Sequence, residues 1–412
     1  MLKNIEKIIK SVSSHSIMGD CIVHKPSKEK RNTFPFKGQT SPDIVGNILD
    51  SFKIDGCKVL DPFVGCGTTL LECLKRNIDS VGVDINPAAV LMSKTLEFSS
   101  MDLQERNDYL SKANKFLFDR IGFVEKSDYS SNSLSSGLQN LSNLLDVPFV
   151  ESVLRDIPDD PIMKTVLLNI MFRYLSSRIP DDTARLKTSF NFYSNFVVDI
   201  PYSTSSVEMI NCDARKMPFD DSSIDLIVTS LPYVHTITSQ RKIDGTYFGS
   251  AMGNEIDLKQ HLRSEIGFGE PGPSSVMLLV NYCIDICNSF KEMKRVLKSN
   301  SLIVIVVSRE SKIRSIPFSS YEMICSIAKV CNGLNIVKRQ ERVYNNRFGN
   351  KVLEDVVQLM VSDKDCYLPD TAKDIAVYFL KKALPNVSDA VAEEINASID
   401  ESSDADGSPI FI

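Results

Sequence analysis

One short stretch constrains this chain more than any other. An apolar run, Lys58 to Leu60, ends in Asp61-Pro62-Phe63-Val64-Gly65-Cys66-Gly67-Thr68-Thr69, and a helical pattern follows from Thr68 to Arg76. A second strand-like run, Ser80 to Val83, ends in Asp84, and another helix opens near Pro87. This strand-loop-helix-strand-Asp order predicts the first half of a doubly wound, nucleotide-binding α/β sheet.

Each part of that order has a chemical consequence. Gly65 and Gly67 allow a tight turn and close approach of a ligand to the main chain. The helix after them offers unpaired N–H groups and a positive dipole end. Asp84 follows Gly65 by 19 residues, at the next strand end, where a carboxylate accepts both hydroxyl hydrogens of a ribose. The loop lacks the Lys-Ser/Thr ending of a P-loop. Leu70 stands where a dinucleotide fingerprint has its third glycine. A ligand with a ribose and one carboxylate fits better than one with a pyrophosphate, and S-adenosylmethionine is such a ligand.

Composition narrows the class further. Hydrophobic residues are 43% and charged residues 24% of the 412, ordinary for a soluble globular protein, which excludes disordered and collagen-like chains. No apolar stretch approaches the roughly 18–20 residues that span a bilayer. Met1 to Lys10 reads as an amphipathic helix packed on the domain surface rather than a signal peptide. The ten Cys include no C-x-x-C pair, and none of the four His stands at metal-ligand spacing. These features predict reduced thiols, no metal, no membrane and a cytoplasmic location. The net charge of −6 is unevenly spread: residues from Asp363 onward hold 11 acidic and 4 basic groups, and residues 1–40 hold 8 basic and 3 acidic. A basic face on the body is therefore compatible with the total.

The expected organisation has five parts. Residues 1–33 form a basic amphipathic segment, and 34–98 the cofactor-binding half of the main domain. Residues 99–197 are a helical insertion and a candidate recognition region. Residues 198–362 are the catalytic half, and 363–412 an acidic extension, disordered from Asp400 to Ile412. Further strands are expected at Ser206–Asn211, Ile224–Thr229, Leu302–Val307, Leu334–Lys338 and Val352–Val361. A long helix, Ser275–Leu297, precedes the third of these.

The motif Asp61 to Thr69 resembles the D-P-F-x-G-x-G-T-T motif of the amino-directed DNA methyltransferases. Thr229-Ser230-Leu231-Pro232-Tyr233 resembles their T-S-P-P-Y catalytic motif, directly after a predicted strand. Phe34 to Pro42 is similar to the segment that lies over the cofactor's methionine end. Asn211-Cys212-Asp213-Ala214 with Ile224 to Val228 resembles the strand pair leading into the catalytic loop. Leu262 to Gly267 is like a segment of some cytosine-N4 enzymes. The resemblance covers Phe34 to Glu97 and Ser206 to Val361.

The resemblance implies a Rossmann-like, S-adenosylmethionine-dependent sheet with a helical insertion, and a double-stranded DNA substrate. It also implies a partner endonuclease or defence complex. Phe36, Thr40, Asp61, Phe63, Gly65, Gly67, Thr68, Thr69, Asp84 and Ile85 would bind the cofactor. Asp213 would meet the adenine amino group, with Ala214 beside the ring. Arg241, Lys242 and Arg263 would contact DNA. Ser230, Leu231, Pro232 and Tyr233 would form the catalytic loop, with Ser230 and the Leu231 carbonyl accepting amino hydrogens and Tyr233 stacking on a base flipped from the duplex. Serine at the first position favours cytosine N4 over adenine N6. Leu231 departs from the family's proline, which fixes φ, so restoring proline is expected to raise the rate if loop flexibility limits it. The other readings are an adenine-N6 enzyme, an RNA methyltransferase, and a catalytically weak DNA- or cofactor-binding subunit.

Overall fold

The computed structural model describes residues 2–14, 22–23, 40–52, 56–126, 148–177, 179–232, 276–313, 316–345, 351–408 and 410. Helix α1 (Leu2–Ser13) opens the chain, followed by a two-residue strand β1 (Ile22–Val23) and helix α2 (Pro42–Asp50). The expected strand-loop-helix-strand unit follows as β2 (Lys58–Asp61), α3 (Thr68–Leu74) and β3 (Asp79–Asp84). Helix α4 (Pro87–Ser93) leads through a 3₁₀ turn into α5 (Leu103–Lys126), α6 (Pro148–Arg155), α7 (Pro161–Ser176) and α8 (Asp182–Asp199). The sheet resumes with β4 (Val207–Asn211) and β5 (Ile224–Ser230). Then come α9 (Met277–Val296), β6 (Leu297–Ser308), the small pair β7 (Ser311–Ile313) and β8 (Ile316–Phe318), and α10 (Ser320–Ser326). The last elements are β9 (Leu334–Asn345), β10 (Lys351–Val361), α11 (Pro369–Ala383) and α12 (Asp389–Glu401).

Eight strands form one sheet in the order β1-β9-β10-β6-β5-β2-β3-β4. The pairs β2–β3, β2–β5, β3–β4 and β5–β6 are parallel, and β10 runs antiparallel to both of its neighbours. This is a Rossmann-like α/β fold. The apolar runs read from the sequence are the strands of this sheet, because a parallel sheet covered on both faces needs side chains that are apolar on both sides. Alternate residues divide between the faces. Leu60, Val81, Ile227, Ile305 and Val357 point to a core shared with α9, α10 and α11. Val59, Leu226, Val228, Val304 and Val356 point to the opposite side, against Ile44, Val45 and Leu49 of α2.

The amphipathic start packs as expected: Ile5, Ile9 and Val12 of α1 are buried in the first of these cores. Three elements have no counterpart in the sequence pattern, β1 and the β7–β8 pair, all too short to show a period. The helices of residues 99–197 do form, but not around a separate core. Their apolar faces join Leu70 and Leu74 of α3, Val64 and Met209 in one cluster, so the insertion is a continuation of the sheet's covering layer.

The acidic extension also differs from expectation. Disorder from Asp400 is contradicted as far as Ser408: α12 continues to Glu401, a 3₁₀ turn spans Ser402–Asp404, and Ala405 is buried. The charges sit on the outer faces of α11 and α12, while Ile375, Phe379, Leu380 and Ile395 fill the core. Net charge over the segment hid this amphipathic pattern.

Arg106 holds the helical layer to itself. It is 2% exposed, and its guanidinium donates to the carbonyls of Met101, Val197 and Ile200. Two of these close the carboxyl end of α8, which would otherwise leave its last carbonyls unsatisfied. Replacing Arg106 by Met should therefore cost about 1.5–3 kcal/mol or more, the value of charge-assisted bonds to buried acceptors. Urea unfolding measures this, and a midpoint equal to wild type would contradict it.

Candidate functional site

Strands β2, β3, β4 and β5 run parallel, so Asp61, Asp84, Asn211 and Ser230 end at one edge of the sheet. The chain turns to β3 on one side of β2 and to β5 on the other. Ligands of open α/β sheets bind at such a switch point, outside the carboxyl ends of the strands.

The glycine loop is strapped down by its own backbone. The Val64 N–H donates to the Val83 carbonyl at 2.9 Å, and the Gly65 N–H to Asp84 Oδ2 at 3.0 Å. Gly65 and Gly67 both have positive φ, 52° and 88°, the region that favours glycine. At Gly67 there is a second reason. A Cβ there would lie 2.9 Å from Leu96 Cδ1 and 3.1 Å from Ser93 Cβ, so this glycine makes room for the 3₁₀ turn and the end of α4. Sequence reasoning missed Gly82. A Cβ at that point of β3 would stand 2.5 Å from Val64 Cγ2, so its bare face lets the loop lie on the strand. A glycine inside a strand pattern was the available signal.

Asp61 is a tie between strands. Its Oδ1 accepts from the Thr229 hydroxyl at 2.6 Å and from the Phe63 N–H at 3.1 Å. Burial pushes its carboxyl up to about 6, a rise opposed by the bonds from Thr229, Thr69 and Phe63. Thus Asp61 and Thr69 lie beneath the loop, while Phe63, Thr68 and Ile85 are half-buried. Thr40 is half-buried just before α2, and Phe36 lies outside the described residues.

Asp84 is half-buried, with Oδ2 on the Gly65 N–H and Oδ1 on the Asn86 N–H at 2.9 Å. These two bonds orient the carboxylate at the end of β3. Asp213 is held by a neighbour in sequence. Its carboxylate is buried and takes the Arg215 guanidinium in a fork, with Nη2 to Oδ2 at 2.5 Å and Nε to Oδ1 at 2.9 Å. Ala214 is buried beside it. The Cys66 thiol is pushed up to about 12 by burial and is no thiolate near neutral pH.

Ser230 ends β5 opposite Val306, half-buried, and among the described residues nothing hydrogen-bonds its hydroxyl. The next two residues are held firmly. The Leu231 N–H donates to the Val306 carbonyl at 3.3 Å, and its side chain is 3% exposed in the core under α9. The Pro232 carbonyl accepts from the Tyr282 hydroxyl of α9 at 2.9 Å. Nothing in the sequence singles out Tyr282, since a tyrosine on a helix carries no mark of the loop it reaches. Tyr233, Arg241, Lys242 and Arg263 lie outside the described residues.

S-adenosylmethionine fits this edge. Leu70 stands where a dinucleotide loop has its third glycine, a carboxylate at the position of Asp84 suits a ribose diol, and an edge with carboxylates is favourable to a sulfonium cation. The sheet edge and glycine loop together have the form of a nucleotide-type α/β site.

A family model described as DNA methylase, of the N6/N4 class, matches residues 10–95. The type II methyltransferase M.MjaII of Methanocaldococcus jannaschii is 32% identical over 94 residues, 22% of this chain and 18% of that protein. The chain thus spans under a fifth of this relative. The type II methyltransferase M.MvaI of Kocuria varians is 23% identical over 365 residues, covering 71% of this chain and 79% of its own. A crystal structure of an S-adenosylmethionine-dependent methyltransferase from Methanosarcina mazei overlays 76% of this chain and 98% of its own, at 12% identity and a TM-score of 0.34. The sequence matches are to a DNA methylase family model of the N6/N4 class and to type II methyltransferases.

The buried Asp61 makes stability depend on pH. The folded chain holds this proton up to about 6, against 3.8 for a free carboxyl, so it binds more protons than the unfolded chain between those values. Stability should fall as pH rises from about 4 to about 6 and then level off, by on the order of 3 kcal/mol. Asp61→Asn should flatten that slope, as read by denaturant midpoints across the range. An unchanged slope would reject the assignment.

Proposed function

We propose that this protein is an S-adenosylmethionine-dependent DNA methyltransferase acting on an exocyclic amino group, with cytosine N4 as the favoured target. The observation that carries the reading is the buried Thr229–Asp61 hydrogen bond. It joins the glycine-loop motif to the strand that ends in Ser230, so a donor methyl group and an acceptor for amino hydrogens belong to one edge. Asp84 binds the ribose hydroxyls of the methyl donor. Phe36 and Thr40 cover its methionine end, and Ala214 lies beside the adenine. The Asp213 carboxylate, oriented by Arg215, meets the adenine amino group.

The amino lone pair of cytosine is delocalised into the ring. Acceptors on both amino hydrogens, the Ser230 hydroxyl and the Leu231 carbonyl, make the nitrogen more tetrahedral and aim it at the sulfonium methyl group, which supplies the electrophile. The rest is positioning. Tyr233 stacks on the flipped base, and the amino proton leaves only after the nitrogen has been methylated, so no strong base is required first. Arg241, Lys242 and Arg263 contact the phosphates of double-stranded DNA, and a partner endonuclease is part of the same reading.

The pinning of Leu231 changes what its departure from proline means. Its N–H bond to Val306 cannot be made by proline, and its buried side chain supplies rigidity by packing. Leu231→Pro is therefore expected to lose about 2–4 kcal/mol of stability and to gain no rate. Ser230→Ala should lower turnover roughly ten- to a hundredfold, the value of one hydrogen bond at the reacting centre, with cofactor affinity unchanged. Nucleoside mass spectrometry of DNA incubated with the protein and labelled donor should show the label on the cytosine amino nitrogen. Label on adenine alone would move the target to N6, and no labelled base on any DNA would reject the enzyme reading.

A further inference from the structure

We infer that the segment Ala405–Ser408 is a latch that positions the cofactor-binding loop after β4, through Arg215, and so sets cofactor affinity. The inference rests on the cofactor reading above for its consequence, but its contacts stand by themselves. Arg215 is the hub. Its guanidinium forks onto Asp213 on one side and, through Nη1, reaches Asp285 Oδ1 at 2.7 Å and the Ser408 carbonyl at 2.6 Å on the other. Asp285 in turn accepts from the Ser408 N–H at 3.0 Å and from the Ser408 hydroxyl at 2.8 Å. The turn that brings Ser408 there depends on Gly407, at φ 83°, where a Cβ would lie 2.7 Å from Asp285 Oδ1 and 2.9 Å from Ile284 Cγ2.

The other end of this chain of contacts is the site. The Cys212 N–H donates to the Asp84 carbonyl at 3.2 Å, and the Asn211 side-chain amide to the same carbonyl at 2.8 Å. The loop that Arg215 holds is thus bonded to the residue assigned to the ribose. A buried ion-pair group is a costly way to gain stability but a good way to define a unique position. Without Ser408, Asp285 loses two donors and Arg215 loses an acceptor, and the group must rearrange or take in water. The Asp213 carboxylate is then no longer held in one orientation. Residues nearly two hundred positions away in sequence act here as positioning residues for the cofactor.

Two variants test this, Gly407→Val in the full chain and a chain stopped after Asp404. Hydrogen exchange on the ligand-free proteins reads the loop, and calorimetric titration with S-adenosylhomocysteine reads affinity. Both variants should lose protection at residues 211–216 while the β6 amides keep theirs, and their Kd should rise about three- to tenfold, the worth of about one ordinary hydrogen bond, because the loop is displaced and no cofactor contact is removed outright. Loss of protection throughout the sheet would make the segment merely structural and overturn the latch. Wild-type affinity in both variants, or weaker binding with unaltered exchange at 211–216, would also overturn it. A wild-type chain that binds no S-adenosylhomocysteine would overturn the cofactor reading and the affinity consequence with it, an outcome distinct from a defect confined to the variants.

Discussion

The Asp61–Thr229 hydrogen bond is the contact on which the arrangement of the site depends. It crosses the switch point of the sheet, where the chain departs in opposite directions, and it lies under the glycine loop. Burying a carboxylate there is unfavourable, and the raised pKa of Asp61 records that cost. The gain is geometric. Two strand ends that share only a short stretch of ladder are held in register by side chains, and everything above them inherits that register.

The remaining parts of the edge are fixed by packing more than by polar contact. Gly82 lets Val64 press on β3, and Gly67 lets the loop close on Leu96 and Ser93. Leu231 is anchored by burial, and Tyr282 holds the carbonyl after it. A loop bound from beneath in this way keeps its outward groups available. The three carboxylates act differently. Asp61 joins strands, Asp84 orients toward the edge while holding the loop, and Asp213 is paired with Arg215. Three chemically identical groups differ because burial and partners differ.

The two covering layers show why segments distant in sequence cannot be assigned separately. The helices of residues 99–197 share their core with α3, and α11 and α12 share theirs with α9 and α10. The acidic extension is amphipathic, so its charge says little about its order. Its final turn reaches the loop after β4 through Arg215, which ties the last described elements to the sheet.

The sequence alone determined the elements with strong periods and punctuation: the strands β2 to β6, the glycine turn, the helix from Pro42 and the long helix α9. It also placed Asp84 and Ser230 at strand ends, because a motif at the end of an apolar run needs no tertiary information. Tertiary structure alone decided which of these groups are struts. Arg215 and Asp213 are two residues apart, yet their pairing is fixed by Asp285 and Ser408. The motif marks Thr229 but not its bond to Asp61, and Tyr282 reads as an ordinary helix residue until the fold brings it to Pro232. Such roles depend on distances between segments far apart in the chain, and no local pattern of side chains encodes a distance of that kind.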